Sequence, residues 1–146
     1  GEVEIVRGSS RESAWERFLE ALDRGVPGLW IGRLFPRALQ AAAASMDARF
    51  LWLSGADRPN SVRPSDLAAL LAEVDRSIRD ESVRVVILEE IEYLTALNGT
   101  EVVRKFLREL DALARRTDVR IWIPLVPELL GSDPAPLESF RDAAGA

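Results

Sequence analysis

At 146 residues, with 47% hydrophobic side chains, 29% charged ones and a formal net charge of −5, the chain has the balance of one soluble globular domain. It contains neither histidine nor cysteine, which excludes disulfides, zinc sites of the usual ligands, and every catalytic arrangement built on imidazole or thiolate. The negative balance argues against non-specific nucleic-acid binding, which needs a basic footprint. Acid–base chemistry would fall to Asp, Glu, Tyr or the sole lysine, Lys105. No apolar run approaches the roughly 18–20 residues that cross a bilayer. The opening Gly-Glu-Val-Glu lacks the basic start and apolar core of a signal peptide. A cytoplasmic protein without membrane contact is expected. The leading glycine in place of methionine hints at a tag remnant or at a piece excised from a longer chain.

Glu2–Arg7 alternates polar and apolar residues and predicts a first strand. Gly8-Ser9-Ser10 breaks it, and Ser9 with Glu12 forms a capping-box pattern that starts a helix near Ser10. That helix carries Trp15, Phe18, Leu19 and Leu22 on one stripe and stops at Gly25. Leu29–Gly32 reads as a second strand, with Arg33 at its end, and Phe35–Met46 as a helix with Pro36 in its first turn. Phe50–Leu53 is a third strand, followed by Ser54-Gly55 and a polar loop over 56–64. Ser65 is placed to cap a helix to about Arg79, whose Leu67, Leu70, Leu71, Val74 and Ile78 recur at helical spacing.

Val83–Asn98 is the stretch that organises the rest; it opens with the central strand Val83–Leu88, apolar on both faces, and so covered on both, as in a parallel sheet between helix layers. A short helix over Ile91–Leu97 closes on Asn98-Gly99, and Thr100 caps a last long helix to about Arg116. Val103, Phe106, Leu107, Leu110 and Ala114 form its buried stripe, with Glu101–Lys105 and Asp111–Arg115 as ion pairs on the wet face. Val119–Ile123 is a fifth strand ended by Pro124 and Pro127, before a proline-rich tail at Ser132–Pro136 and a weak helix. Alternating strands and helices predict a three-layer α/β/α fold with a five-stranded, mainly parallel sheet and right-handed crossovers, as one domain over 1–146.

Four stretches then carry a resemblance. They are G-V-P-G-L-W-I-G-R with Pro36; F-L-W-L-S with Asn60, Pro64, Asp66 and Leu67; V-V-I-L-E-E-I-E-Y-L with Asn98-Gly99; and I-W-I-P-L-V-P. In this order the chain resembles the family catalogued as domain of unknown function 835 (DUF835). The resemblance implies a RecA-like sheet of strand order 5-1-4-3-2, which would leave the second and fifth strands outermost. It also implies no working nucleotide site and company with sensory or response-regulator modules. The family's central strand usually ends Asp-Gly where this chain has Glu89-Glu90.

The phosphate loop of such a fold would span Arg7–Arg11, and R-G-S-S-R offers one glycine and no lysine. G-x-x-x-x-G-K-[ST] occurs nowhere in the chain, so no cofactor and no catalytic residue is expected. Glu89, Glu90 and Glu92 could coordinate magnesium, but carboxylates also suit a strand end beside a helix start. With no phosphate loop to bring the metal's phosphate ligands, no metal site is expected. Arg33, Ser54, Asn60, Glu89 and Glu90 should gather on the carboxyl edge of the sheet, where open α/β sheets bind ligands. Arg33 alternatively just pairs with one of the glutamates, and Asn60 bonds its own loop. Trp30, Trp52 and Trp122 lie among aliphatics without a basic groove and read as core. The expected role is a non-catalytic protein-interaction or regulatory module in signal transduction that binds protein or itself as a homodimer. A small-ligand or nucleotide sensor at the carboxyl edge is the alternative, and a carboxylate-only enzyme a distant third.

Overall fold

A computed structural model of the chain describes residues 1–7, 11–34, 37, 40–41, 44, 47–125 and 141–142. The predicted phosphate-loop segment, most of the predicted 35–46 helix and the proline-rich tail lie outside these residues. The described strands are β1 (Glu2–Arg7), β2 (Gly28–Gly32), β3 (Ala48–Leu53), β4 (Ser61–Val62), β5 (Val85–Leu88), β6 (Arg120–Leu125) and β7 (Arg141–Asp142). The helices are α1 (Arg11–Asp23), α2 (Leu67–Glu81), α3 (Ile91–Asn98) and α4 (Thr100–Arg115).

Local chemistry explains most of the boundaries. The amide of Gly25 donates to Leu22 O and that of Val26 to Ala21 O, the paired bonds of a Schellman stop, with Gly25 at φ +82°. Asp66, not Ser65, caps α2: its carboxylate accepts the Ala69 amide at 3.0 Å. Thr100 is the first residue of α4 rather than its cap, because Gly99 at φ +91° takes that place. On α4, Asp111 pairs with Arg115 at 2.9 Å as expected, but Glu101 chooses Arg104 at 2.8 Å and Lys105 lies 3.9 Å from Glu109. The α1 stripe is rotated slightly from expectation: Ala14, Phe18, Ala21 and Leu22 are buried, with Trp15 and Leu19 only partly covered.

All strand pairs are parallel, in the order β4-β3-β2-β5-β6-β1-β7. The α/β class therefore stands, and the order 5-1-4-3-2 does not. In terms of the five predicted strands the sheet runs 3-2-4-5-1, so the second and fifth are internal and the first lies toward one end. The pattern of β1 carries the reason. A strand between two inner neighbours needs apolar residues on both faces, whereas here Val3 and Ile5 are buried and the intervening glutamates are half-buried. Two elements are additions: β4 inside the polar loop, paired to β3, and β7 where a weak helix was expected. Strand β6 also runs through Pro124, which is tolerated because Pro124 lies beyond the last β5–β6 pair, Ile87↔Trp122.

From β2 the chain steps to β3 on one side; from β5 it steps to β6 on the other. Right-handed crossovers in opposite directions run over opposite faces. Side-chain packing puts the described helices on both faces. Alternate residues Leu29, Ile31, Val86, Leu88, Ile121 and Ile123 pack with α2, α3 and α4, while Trp30, Val85, Ile87 and Trp122 pack with α1. The sheet is doubly wound, with its switch point between β2 and β5. Strands β3-β2-β5-β6 follow the flavodoxin-type order 2-1-3-4, and β1 takes the fifth place.

Candidate functional site

At a switch point two neighbouring strands send their following connections to opposite sides, opening a crevice beyond their carboxyl ends. Beyond β2 lie Arg33 and Leu34; beyond β5 lie Glu89 and Glu90. Side-chain alternation sends Glu89 to the α1 face. There the Trp30 indole Nε1–H donates to Glu89 Oε1 at 2.8 Å, with Trp30 fully buried and Glu89 only 8% exposed. Gly32 makes room for this bond, since a Cβ at that position would stand 2.7 Å from Glu89 Oε1. The Glu89 amide meanwhile extends the ladder by donating to Ile31 O at 2.9 Å.

Glu90 turns the other way. It adopts a left-handed backbone (φ +74°, ψ +29°), unusual for a residue with a Cβ, and ends the strand where α3 begins. Its carboxylate approaches Arg33 Nη1 at 3.8 Å, and the Arg33 guanidinium lies over the Tyr93 ring, 4.0 Å from the centroid. These three side chains form one wall of an open cleft of about 660 Å³, within the range of small-ligand sites. Ser54, Gly55 and Arg58 also line it. Ser54 Oγ accepts the Ala56 amide at 3.1 Å, which pins the turn and leaves the hydroxyl proton as a donor.

Of the five residues expected along this edge, Arg33, Ser54 and Glu90 line the cleft, whereas Asn60 and Glu89 do not. Asn60 acts through its backbone: at φ +59° its carbonyl accepts the Trp52 amide at 2.8 Å and starts the β3–β4 pairing. Glu89 lies on the far face, so the adjacent glutamates do not act as a pair. Among the described residues no group of three or more His, Cys, Asp or Glu side chains is placed to hold a metal. Sequence reading missed Tyr93 and Arg58. Tyr93 could have been found, because it follows Glu90 by three residues and so sits on the same side of α3's first turn. Arg58, in a loop without periodicity, carries no such signal.

A second open cavity, of about 550 Å³, lies at the amino edge on the α1 face. Trp122 lies on its floor with the Arg17 guanidinium stacked 4.3 Å from the ring centroid, and Arg24, Arg84 and Arg120 alternate with Glu4, Glu20 and Asp118 around it. Desolvation by burial, helped by neighbouring Glu2, pushes the Glu4 carboxyl above its usual range. The near-balanced charge of this rim gives no preference for a ligand of either sign.

The family model described as "Protein of unknown function (DUF835)" matches residues 8–130, and the chain belongs to that family. The matched stretch opens after β1 and takes in every residue of the carboxyl-edge cleft named above. No curated protein matches the chain.

Proposed function

We propose that this chain is a non-catalytic regulatory module of a signalling protein, working by binding rather than by turnover. The observation that carries this reading is the fate of Glu89. It occupies the strand end where a nucleotide-hydrolysing sheet keeps its metal-binding or water-activating carboxylate, yet its Oε1 accepts the buried indole N–H of Trp30. A carboxylate so held contributes to the fold and is poorly placed to act on a substrate. The parallel sheet, and the two strand adjacencies it shares with the RecA-like order, favour descent from nucleotide-binding α/β stock whose catalytic parts were lost. The partner is protein, including a second copy of the chain, and a cytoplasmic setting fits; no described helix is long and apolar enough to cross a membrane.

The carboxyl-edge cleft favours a second reading, in which the module senses a small ligand. Incubation with ATP or GTP and magnesium separates catalysis from binding. The proposal expects no phosphate release above the buffer rate, and turnover that scales with protein concentration would overturn it. Titration with the same nucleotides and cyclic dinucleotides, followed by tryptophan fluorescence and melting temperature, tests the sensor reading. A ligand at 100 times its dissociation constant stabilises by about 2.7 kcal/mol, a readily measured shift.

A further inference from the structure

We infer that the carboxyl-edge cleft is a site for a phosphoryl group, in which Glu90 occupies Arg33 until that group displaces it. The inference rests on the sensor reading and names its ligand class and its switch.

The residues define the chemistry. Arg33 and Arg58 bring two guanidinium groups to one cleft, and Ser54 adds a hydroxyl donor. The planar guanidinium fork can donate to two oxygens of a phosphoryl group at once, which no other side chain does as well. Tyr93 holds Arg33 from one side, fixing the plane of its donors before a ligand arrives. Two guanidinium groups and a hydroxyl converging on one cleft fit a phosphoryl group.

Glu90 explains how such a site would be regulated. At 3.8 Å from Arg33, with 34% of its side chain exposed, its carboxylate is a loose partner rather than a locked one. An incoming phosphoryl group carries more charge and more acceptor oxygens, so it can replace Glu90 on the same guanidinium. The residue then released has a left-handed backbone and leads directly into α3. A strained residue at a ligand site, continuous with a helix, is a physical route from occupancy to a change at the outer surface.

The test is calorimetric titration of the full chain with inorganic phosphate, AMP, GMP and uncharged adenosine. AMP or GMP should bind saturably, with inorganic phosphate competing for the same site and adenosine binding least. Arg33→Ala should lower nucleotide affinity about 10- to 100-fold, and Arg33→Lys by less, provided both melt like the parent. Glu90→Gln, which leaves Arg33 without an anionic competitor, should raise affinity about threefold to tenfold. Nucleotide binding unmoved by Arg33→Ala and Glu90→Gln would overturn the site while leaving the sensor reading intact. Adenosine binding as tightly as AMP would overturn the phosphoryl assignment. Absence of binding by all four probes would overturn the inference and leave the sensor reading to the titrations with nucleoside triphosphates and cyclic dinucleotides.

Discussion

The two faces of the sheet are built by different rules. The face under α2, α3 and α4 is aliphatic almost throughout, with Phe106 its one aromatic, and its helices meet the sheet through regular stripes such as Val103, Phe106, Leu107 and Leu110. The described part of the α1 face is made of aromatics and small residues. Trp30 and Phe18 meet edge-on with centroids 5.3 Å apart, Ala14 and Ala21 let α1 approach, and Trp30 bonds a buried carboxylate. One face is specified by hydrophobic period, which many sequences satisfy. The other depends on shape and on a polar bond that few substitutions preserve. Glu89 and Glu90, adjacent in the chain, divide between them: one serves the aromatic face, the other the cleft.

Mutations that break this comparison should rank as follows. Truncating Leu107→Ala on the aliphatic face should cost about 3–4 kcal/mol in chemical denaturation, because a fully buried leucine leaves a cavity. Leu19→Ala, half-buried on α1, should cost nearer 1 kcal/mol.

The polar core of the α1 face responds to donor chemistry rather than volume alone. Trp30→Phe removes a donor from the buried Glu89 carboxylate and should cost about 2–3 kcal/mol. Adding Glu89→Gln should recover part of that loss, since an amide is cheaper to bury than a carboxylate. A double-mutant cycle should therefore show coupling above about 1 kcal/mol, and additive effects would mean the bond contributes only packing.

Asp66→Ala removes the α2 cap and should lower stability by about 1 kcal/mol, readable in the denaturation midpoint with an unchanged slope.

The smallest effect belongs to pH. Burial raises the Glu4 pKa above its ordinary 4.5, so the folded chain holds that proton more tightly than the unfolded one. The stability it brings is present in acid and lost as pH rises through the raised value. Glu4→Gln should melt higher than the parent at neutral pH, and the gap should close below the ordinary carboxylate range.

Much of the fold was legible because period is a local property. Strands β1, β2 and β5, the stop at Gly25 and the buried stripe of α4 follow from spacing and from residues with special backbone preferences. Strand order was not legible in the same way, since two-sided apolar strands carry no label for their neighbours; the alternating glutamates of β1 were the one available sign. Arg33, Ser54 and Glu90 reached the cleft because carboxyl ends of parallel strands share an edge. The pairing of Arg33 with a glutamate was within the sequence reading and Tyr93 within reach of helical spacing, but the opposite turning of Glu89 and Glu90 depends on a left-handed residue that no local pattern announces.

Among the described residues the sheet ends at each side in a strand of two residues, Ser61–Val62 and Arg141–Asp142. A long, flat outer strand would offer a row of unused amides and carbonyls to any passing extended chain, inviting fibrils as readily as partners. Here Ser61–Val62 pairs with Trp52 and Leu53 alone of β3, and Arg141–Asp142 with Glu4 and Ile5 alone of β1, so each described outer strand interrupts a longer row after two residues.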